Sequence, residues 1–293
     1  MNNQRSILRE ISYSGIGLHT GKECKVTLRP APADTGIVFY RTDRGIMIKL
    51  HPLAVVDTAF ATTIGYNGTR IKTIEHLMSA ISGLEIDNLY IDVEGPEIPA
   101  FDGSSVKIVE ILLECGFSRQ NAHKKYVEIT SPISFSDGSA SISAIPFAGR
   151  RFTQILEFGN NLLPRQEITL DLSHETFIRD VAPARTFGFL KDVEMLRQNG
   201  LAKGGTLENA VVIDGEKILN PSGLRFADEF VRHKVLDCIG DLAVAGLPIK
   251  GHIIAERSGH STNIKFLKHL LSSRNSYIIQ GVSSPYEYTS TFA

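Results

Sequence analysis

His233, Asp237 and Asp241 stand four residues apart in the segment DEFVRHKVLDCIGDLAVAG. At 3.6 residues per turn this spacing lines all three on one helix face. An imidazole and a carboxylate at i and i+4 can converge on one metal ion. A bound ion would also offset the cost of desolvating carboxylates, which runs to several kcal/mol each. Gly240 beside them leaves room for something to approach. The same spacing describes an amphipathic helix with a solvated charged face, and for a bare H-x-x-x-D that is the commoner case. Two features weigh towards chemistry. Lys234 places a cation next to His233. Ser258-Gly259-His260-Ser261, after the following strand, reads as a turn carrying an imidazole on a loop, where catalytic groups tend to sit. In the first half of the chain, Glu75-His76 opens another helix. A histidine at a helix start is usually a surface residue. Glu75 and His76 can act as base and ligand only if both reach the same cleft.

Two helices must position these groups. The first is expected over residues 74–82, with Thr73 as N-cap and Gly83 as C′ residue. Ile74, Leu77, Met78 and Ile81 give it an apolar stripe. The second is expected over residues 228–245, ending at Gly246, with Val231, Val235, Cys238, Ile239 and Leu242 as its stripe. Lys25 to Arg29, Leu89 to Val93 and Gly138 to Ala144 alternate apolar and polar residues and read as half-buried strands. Helices interrupt the strands without a strict βαβ rhythm. The class is therefore α+β, with helices on one face of mostly antiparallel sheets.

The halves share a pattern. Residues 57–65 (DTAFATTIG) resemble 180–188 (DVAPARTFG), and 82–91 (SGLEIDNLYI) resemble 245–254 (AGLPIKGHII). Each half runs turn, helix, Gly-Leu, strand. Internal duplication is the simplest account, with extra residues in the second copy. The boundary is expected in the polar stretch 118–125. This gives one repeat domain at 1–121 with Glu75 and His76. A second at 122–293 carries His233, Asp237 and His260. The active site would lie at their interface.

The 293 residues are 42% hydrophobic and 22% charged, enough for a sizeable core. A formal net charge of −1 leaves no basic field for nucleic acid, so no nucleic-acid partner is expected. The N-terminal residues have no apolar run of signal-peptide length, and no stretch approaches the roughly 20 apolar residues of a membrane span. Cys24, Cys115 and Cys238 are too few and scattered for a disulfide framework or a cysteine zinc site, so they read as buried thiols in a cytoplasmic protein.

Taken together, the motifs resemble the UDP-3-O-acyl-N-acetylglucosamine deacetylase family, the zinc amidases of bacterial lipid A synthesis. The resemblance covers essentially the whole chain. It is carried by GIGLHTG (15–21), LRPAPA (28–33), TIEHL (73–77), GPEIP (95–99) with DGS (102–104), ARTFGF (184–189), GLRF (223–226), DEFVRHK (228–234), Asp237 to Asp241 and SGH (258–260).

The resemblance implies one Zn2+ per chain on His76, His233 and Asp237, with water in the open position. Glu75 would be the general base. His260 would be the general acid, oriented by Asp241. Thr186 would stabilise the oxyanion, with Thr63 near the substrate. Lys234 would contact the nucleotide-sugar, Phe187 and Phe158 the uridine end. Arg257 stands where the commonest members carry lysine, and a planar guanidinium binds phosphate with different geometry. An apolar passage for the fatty acyl chain would use the insertion at about 189–217: Phe189, Leu190, Val193, Leu201, Ala202, Leu207 and Val212, with Leu18 nearby. No fused dehydratase domain is expected. The implied reaction converts UDP-3-O-acyl-N-acetylglucosamine to the free amine and acetate, by a monomer with at most transient membrane-surface contact. Two alternatives are a non-catalytic sugar-nucleotide or lipid-binding relative, and a metal amidohydrolase of other substrate range. The long apolar insertion argues against the latter.

Overall fold

A computed structural model describes residues 3–157 and 164–281 of the chain. Strand Glu23–Pro30 shows how the sequence writes a half-buried strand: Cys24, Val26 and Leu28 turn inward while Glu23 and Lys25 face solvent. It sits in a five-stranded sheet ordered Ile11–Ile16, Glu23–Pro30, Leu89–Glu94, Ile37–Arg41, Ile46–Lys49. Only Ile37–Arg41 and Leu89–Glu94 run parallel.

The second half repeats this order. Ile133–Asp137, Ala140–Ile145, Ile249–Glu256, Arg150–Leu156 and Gln166–Asp171 follow one another, and again only the third and fourth are parallel. Tyr126–Ile129 and Tyr277–Gln280 extend the sheet. Matching order and matching parallel pair carry the duplicated α+β architecture beyond what short sequence likenesses could. Residues 138 and 139 are a hairpin turn rather than a strand start. Gly138 has φ +62°, and Asp137 pairs across it with Ala140. The polar stretch 118–125 also folds differently from a plain boundary. Most of it belongs to strand Phe117–His123, which pairs antiparallel with Asn3–Ile7.

In each half one helix immediately precedes the central strand: Glu75–Gly83 before Leu89–Glu94, and Glu229–Ala243 before Ile249–Glu256. One apolar core runs from the first sheet (Val26, Phe39, Ile91) through both helices (Leu77, Ile81, Leu236, Ile239) to the second (Ile142, Phe152, Ile253). The helices are therefore not surface amphipathic elements. The Glu75 helix buries every residue but Ser82. The Glu229 helix buries His233, Asp237 and Asp241 along with its apolar stripe. This overturns the solvated-face reading of H-x-x-x-D.

Two helix ends differ from expectation. Thr73 is not an N-cap, and no side chain among the described residues caps the Glu75 helix. Gly83 is its last helical residue, and a Cβ there would come 2.3 Å from the Phe177 ring. Gly246, with φ +77°, follows the second helix, whose last residue is Ala243 rather than the expected Ala245.

Gly240 is where the helices meet. A Cβ at that position would lie 2.1 Å from the Glu75 carbonyl oxygen. The room it leaves is thus taken by backbone. Gly240→Ala is expected to destabilise the protein by about 1–3 kcal/mol, the usual cost of overpacking. Chemical denaturation checks this, and an unchanged midpoint would show that the crossing can open.

Candidate active site

The crossing brings His76 of the first helix over His233 and Asp237 of the second. One donor atom from each lies within 4.8 Å of the others. The imidazole rings stand edge to face at 5.1 Å. His233 Nε2 is 3.3 Å and His76 Nε2 3.8 Å from Asp237 Oδ1. That Oδ1 is buried and has no hydrogen-bond partner among the described residues, an arrangement a native interior rarely tolerates without an ion or water. His233 Nδ1 is 3.1 Å from the Ala184 carbonyl, to which its N–H donates, leaving Nε2 as an acceptor. The Ser105 hydroxyl donates to the His76 carbonyl at 2.9 Å.

Burial prepares these donors. It pushes His76 down to about 3, reinforced by His233, and it lowers His233 as well. Both imidazoles are neutral and can ligate. Burial alone would raise Asp237, but the surrounding His233, Lys234, His260 and His76 outweigh it and hold the carboxylate far below its usual range. Lys234 Nζ donates to Asp237 Oδ2 at 2.9 Å. Two neutral nitrogens and one anionic oxygen fit a divalent ion with a position left open. Nitrogen and oxygen donors of this kind accept several first-row metals.

Two further groups complete the constellation. Glu75 is 3% exposed and accepts from the Thr62 amide at 2.9 Å. Burial pushes it up to about 8, with Asp241 and Asp237 adding and His260 opposing. His260 donates from Nδ1 to Asp241 Oδ2 at 2.9 Å. Burial would lower this imidazole, yet Asp241 and Asp237, with Glu75, raise it to about 10. His260 is not on a loop but is the first residue of helix His260–Ser272. A helix N-terminus disfavours a cation, so Asp241 must overcome that too.

Asp241 itself accepts from Thr62 Oγ1 at 2.5 Å and Asn263 Nδ2 at 2.9 Å. Sequence reasoning missed both donors. Asn263 was findable, three residues after His260 on the same helix face. Thr62 was not, because nothing in Thr62-Thr63 says which side chain serves the site. Thr63 lies beside it, 2% exposed at the start of strand Thr63–Tyr66.

Thr186 donates its amide to Gly103 O at 2.8 Å and accepts from Val211 N at 2.8 Å. Arg185 next to it is buried and donates to Glu229 from its amide and its guanidinium. That pair anchors the segment presenting Ala184 O and Thr186. Phe187 stands 6.2 Å from the His233 ring, with Lys234 Nζ 5.4 Å from its centroid. It opens strand Phe187–Phe189, which pairs with Val211–Asp214 and, beyond it, Lys217–Ile218. This small sheet and helix Val193–Gln198 enclose a cavity of about 420 Å³. Leu18, Thr186, Phe187, Phe189, Leu190, Val193, Ala202, Leu207 and Val212 line it, as do Leu196 and Leu219. Leu201 is not in the lining. Helical spacing turns Val193, Leu196 and Arg197 to the cavity instead. Arg257, at φ +50°, pairs its guanidinium with Glu157. Phe158 lies outside the described residues.

Fold and site together define a duplicated α+β protein with a buried His-His-Asp centre beside an apolar cavity. A family model described as UDP-3-O-acyl N-acetylglycosamine deacetylase matches residues 4–272, and the chain belongs to that family. Among curated relatives carrying the name UDP-3-O-acyl-N-acetylglucosamine deacetylase, the Bdellovibrio bacteriovorus protein is 46% identical over 276 residues, 94% of this chain and 91% of that one. The Thermodesulfovibrio yellowstonii protein is 44% identical across 92% of each chain. The Geotalea uraniireducens protein is 43% identical over 99% of this chain and 95% of its own.

The centre predicts metal stoichiometry. The wild type should hold one divalent ion per chain by elemental analysis. His76→Ala and Asp237→Ala should each lower affinity by at least the 10–100-fold seen for supporting groups alone. Wild-type metal content in either variant would place the ion elsewhere.

Proposed function

We propose that this chain hydrolyses the N-acetyl group of UDP-3-O-acyl-N-acetylglucosamine, releasing acetate and the free amine, an early step of lipid A synthesis. The observation that carries the reading is the His76, His233 and Asp237 trio, flanked by Glu75 and His260 and adjoining an apolar cavity. Family membership supports the substrate. We take the ion to be zinc, one per chain. Bound there, it would supply a Lewis acid for the attacking water and the amide carbonyl.

The chain's own residues do the rest. Glu75 takes the proton from water. Its burial makes it more basic than an exposed carboxylate, and the Thr62 amide fixes one of its oxygens. His260, kept cationic by Asp241, gives a proton to the amine nitrogen as the C–N bond breaks. These separated environments assign base and acid to different groups. The Thr186 hydroxyl serves the developing oxyanion. The 3-O-acyl chain occupies the cavity between Leu18 and the insertion. Thr63 and Lys234 lie on the sugar side, with Phe187 and Arg257 towards the nucleotide. The repeats divide between the two repeated sheets, near residues 121 and 122, where strand Phe117–His123 closes the first half.

Among the described residues no helix is long and apolar enough to cross a membrane. We read the protein as a cytoplasmic monomer that takes its lipid-bearing substrate without nucleic acid or an anchor.

The test is deacetylation of the acylated UDP-sugar alongside metal analysis. Glu75→Ala should keep its metal and lose about 10²–10⁴-fold in rate. His233→Ala should lose both metal and activity. Full activity in Glu75→Ala would sink the mechanism. Shortening the 3-O-acyl chain should lower kcat/KM by up to about fourfold per methylene removed, from roughly 0.8 kcal/mol per buried CH₂. A flat dependence would mean the cavity holds something else.

A further inference from the structure

Glu97 lies outside the groups assigned above, is fully buried, and is held by four neutral donors. Its Oε1 accepts from the His19 amide at 2.9 Å and the Thr73 hydroxyl at 2.7 Å. Its Oε2 accepts from the Thr20 amide at 2.7 Å and the Thr20 hydroxyl at 2.6 Å. A carboxylate removed from water persists only where its acceptors are satisfied, and here the satisfying groups come from two separate parts of the site.

One arm is Thr73, two residues before Glu75. It sits at φ +57°, a left-handed conformation that a β-branched residue seldom adopts. Lys72 donates to Pro96 O and accepts from the Ile98 amide, both at 3.0 Å, so the chain around Thr73 is strapped to the chain around Glu97. The other arm is the loop at 17–21. A Cβ on Gly17 would come 2.3 Å from Glu97 Oε2, so no side chain fits there while Glu97 keeps its bonds. Leu18 and His19 of the loop line the apolar cavity. Its far side is bonded to the insertion: Gly204 N donates to Leu18 O at 3.0 Å and Lys203 N to His19 O at 3.2 Å.

The structure assigns Glu97 as a positioning residue that ties the cavity wall to the start of the helix carrying Glu75 and His76. Through it, a chain seated against Leu18 and His19 fixes where the base and a metal ligand stand. Binding energy from a remote part of the substrate is then used at the reacting centre. The assignment rests on the deacetylase reading for what fills the cavity.

Glu97→Gln tests it. An amide nitrogen cannot accept, so the His19 or the Thr20 N–H must face another donor. Thr20→Val removes one hydroxyl bond, and Thr20→Ser keeps it. Two ratios are read in metal-loaded protein. One is kcat/KM for the 3-O-acylated UDP-sugar over its counterpart lacking the chain. The other is calorimetric affinity for the corresponding amine products, which needs no turnover. With metal content unchanged, both ratios should fall on the order of tenfold in Glu97→Gln. They should fall less in Thr20→Val and stay at the wild-type level in Thr20→Ser. If both substrates lose equally, or neither ratio moves, Glu97 is scaffold only and the assignment is wrong. Should Glu97→Gln fail to fold, Thr20→Val decides by the same ratios. An inactive metal-loaded wild type would refute the deacetylase reading, while the product affinities still decide the role of Glu97.

Discussion

Everything in the site depends on the contact between two helices at Gly240. With no side chain there, the Glu75 carbonyl can rest against the partner helix. That closeness sets His76 over His233 and Asp237, and it encloses Glu75 and Asp241 in the same dry region. Each sheet repeat contributes one of the helices. Duplication thus supplies the two halves of the centre, and the apolar core between the sheets supplies the force that presses them together.

Such crowding would be ruinous without distinct partners for each charged group. Asp237 is matched to Lys234 and to two imidazoles that a metal can bridge. Asp241 accepts from Thr62, Asn263 and His260. Glu75 accepts one amide bond from Thr62 and forms no ion pair with a lysine or arginine among the described residues. Three carboxylates on two helices therefore meet three environments. That difference is what the proposed roles of ligand, anchor and base rest on.

The two copies also differ where function needs them to. Ahead of its helix, the first has a short three-stranded sheet, Val55–Asp57, Thr63–Tyr66 and Thr69–Ile71. The second has the longer Phe187 to Ile218 segment, whose sheet and helix wall the cavity. The common part makes the metal-ligating geometry and the divergent part makes the pocket. Glu97 and the loop at 17–21 join them.

Local pattern was enough for much of this. Alternation in residues 25–29 and 89–93 wrote strands, periodicity from residues 74 and 228 wrote helices, and paired segments betrayed the repeat. The i, i+4 spacing alone set His233, Asp237 and Asp241 on one face. Whether that face met water was beyond its reach, because a buried polar face and a solvated one share the same period. Burial comes from what packs against the helix, and here that is a helix more than 140 positions earlier in the chain. The same holds for Thr62, whose neighbours Glu75 and Asp241 come from both helices. It holds for Thr73, which looked like a cap and is instead a strained residue bonded to Glu97. Residue types and spacing determined which chemistry was available. Only tertiary packing, which joins segments remote in sequence and removes water from between them, decided that His76 joins His233 and Asp237 and shifted the proton affinities of Glu75, Asp237 and the three imidazoles.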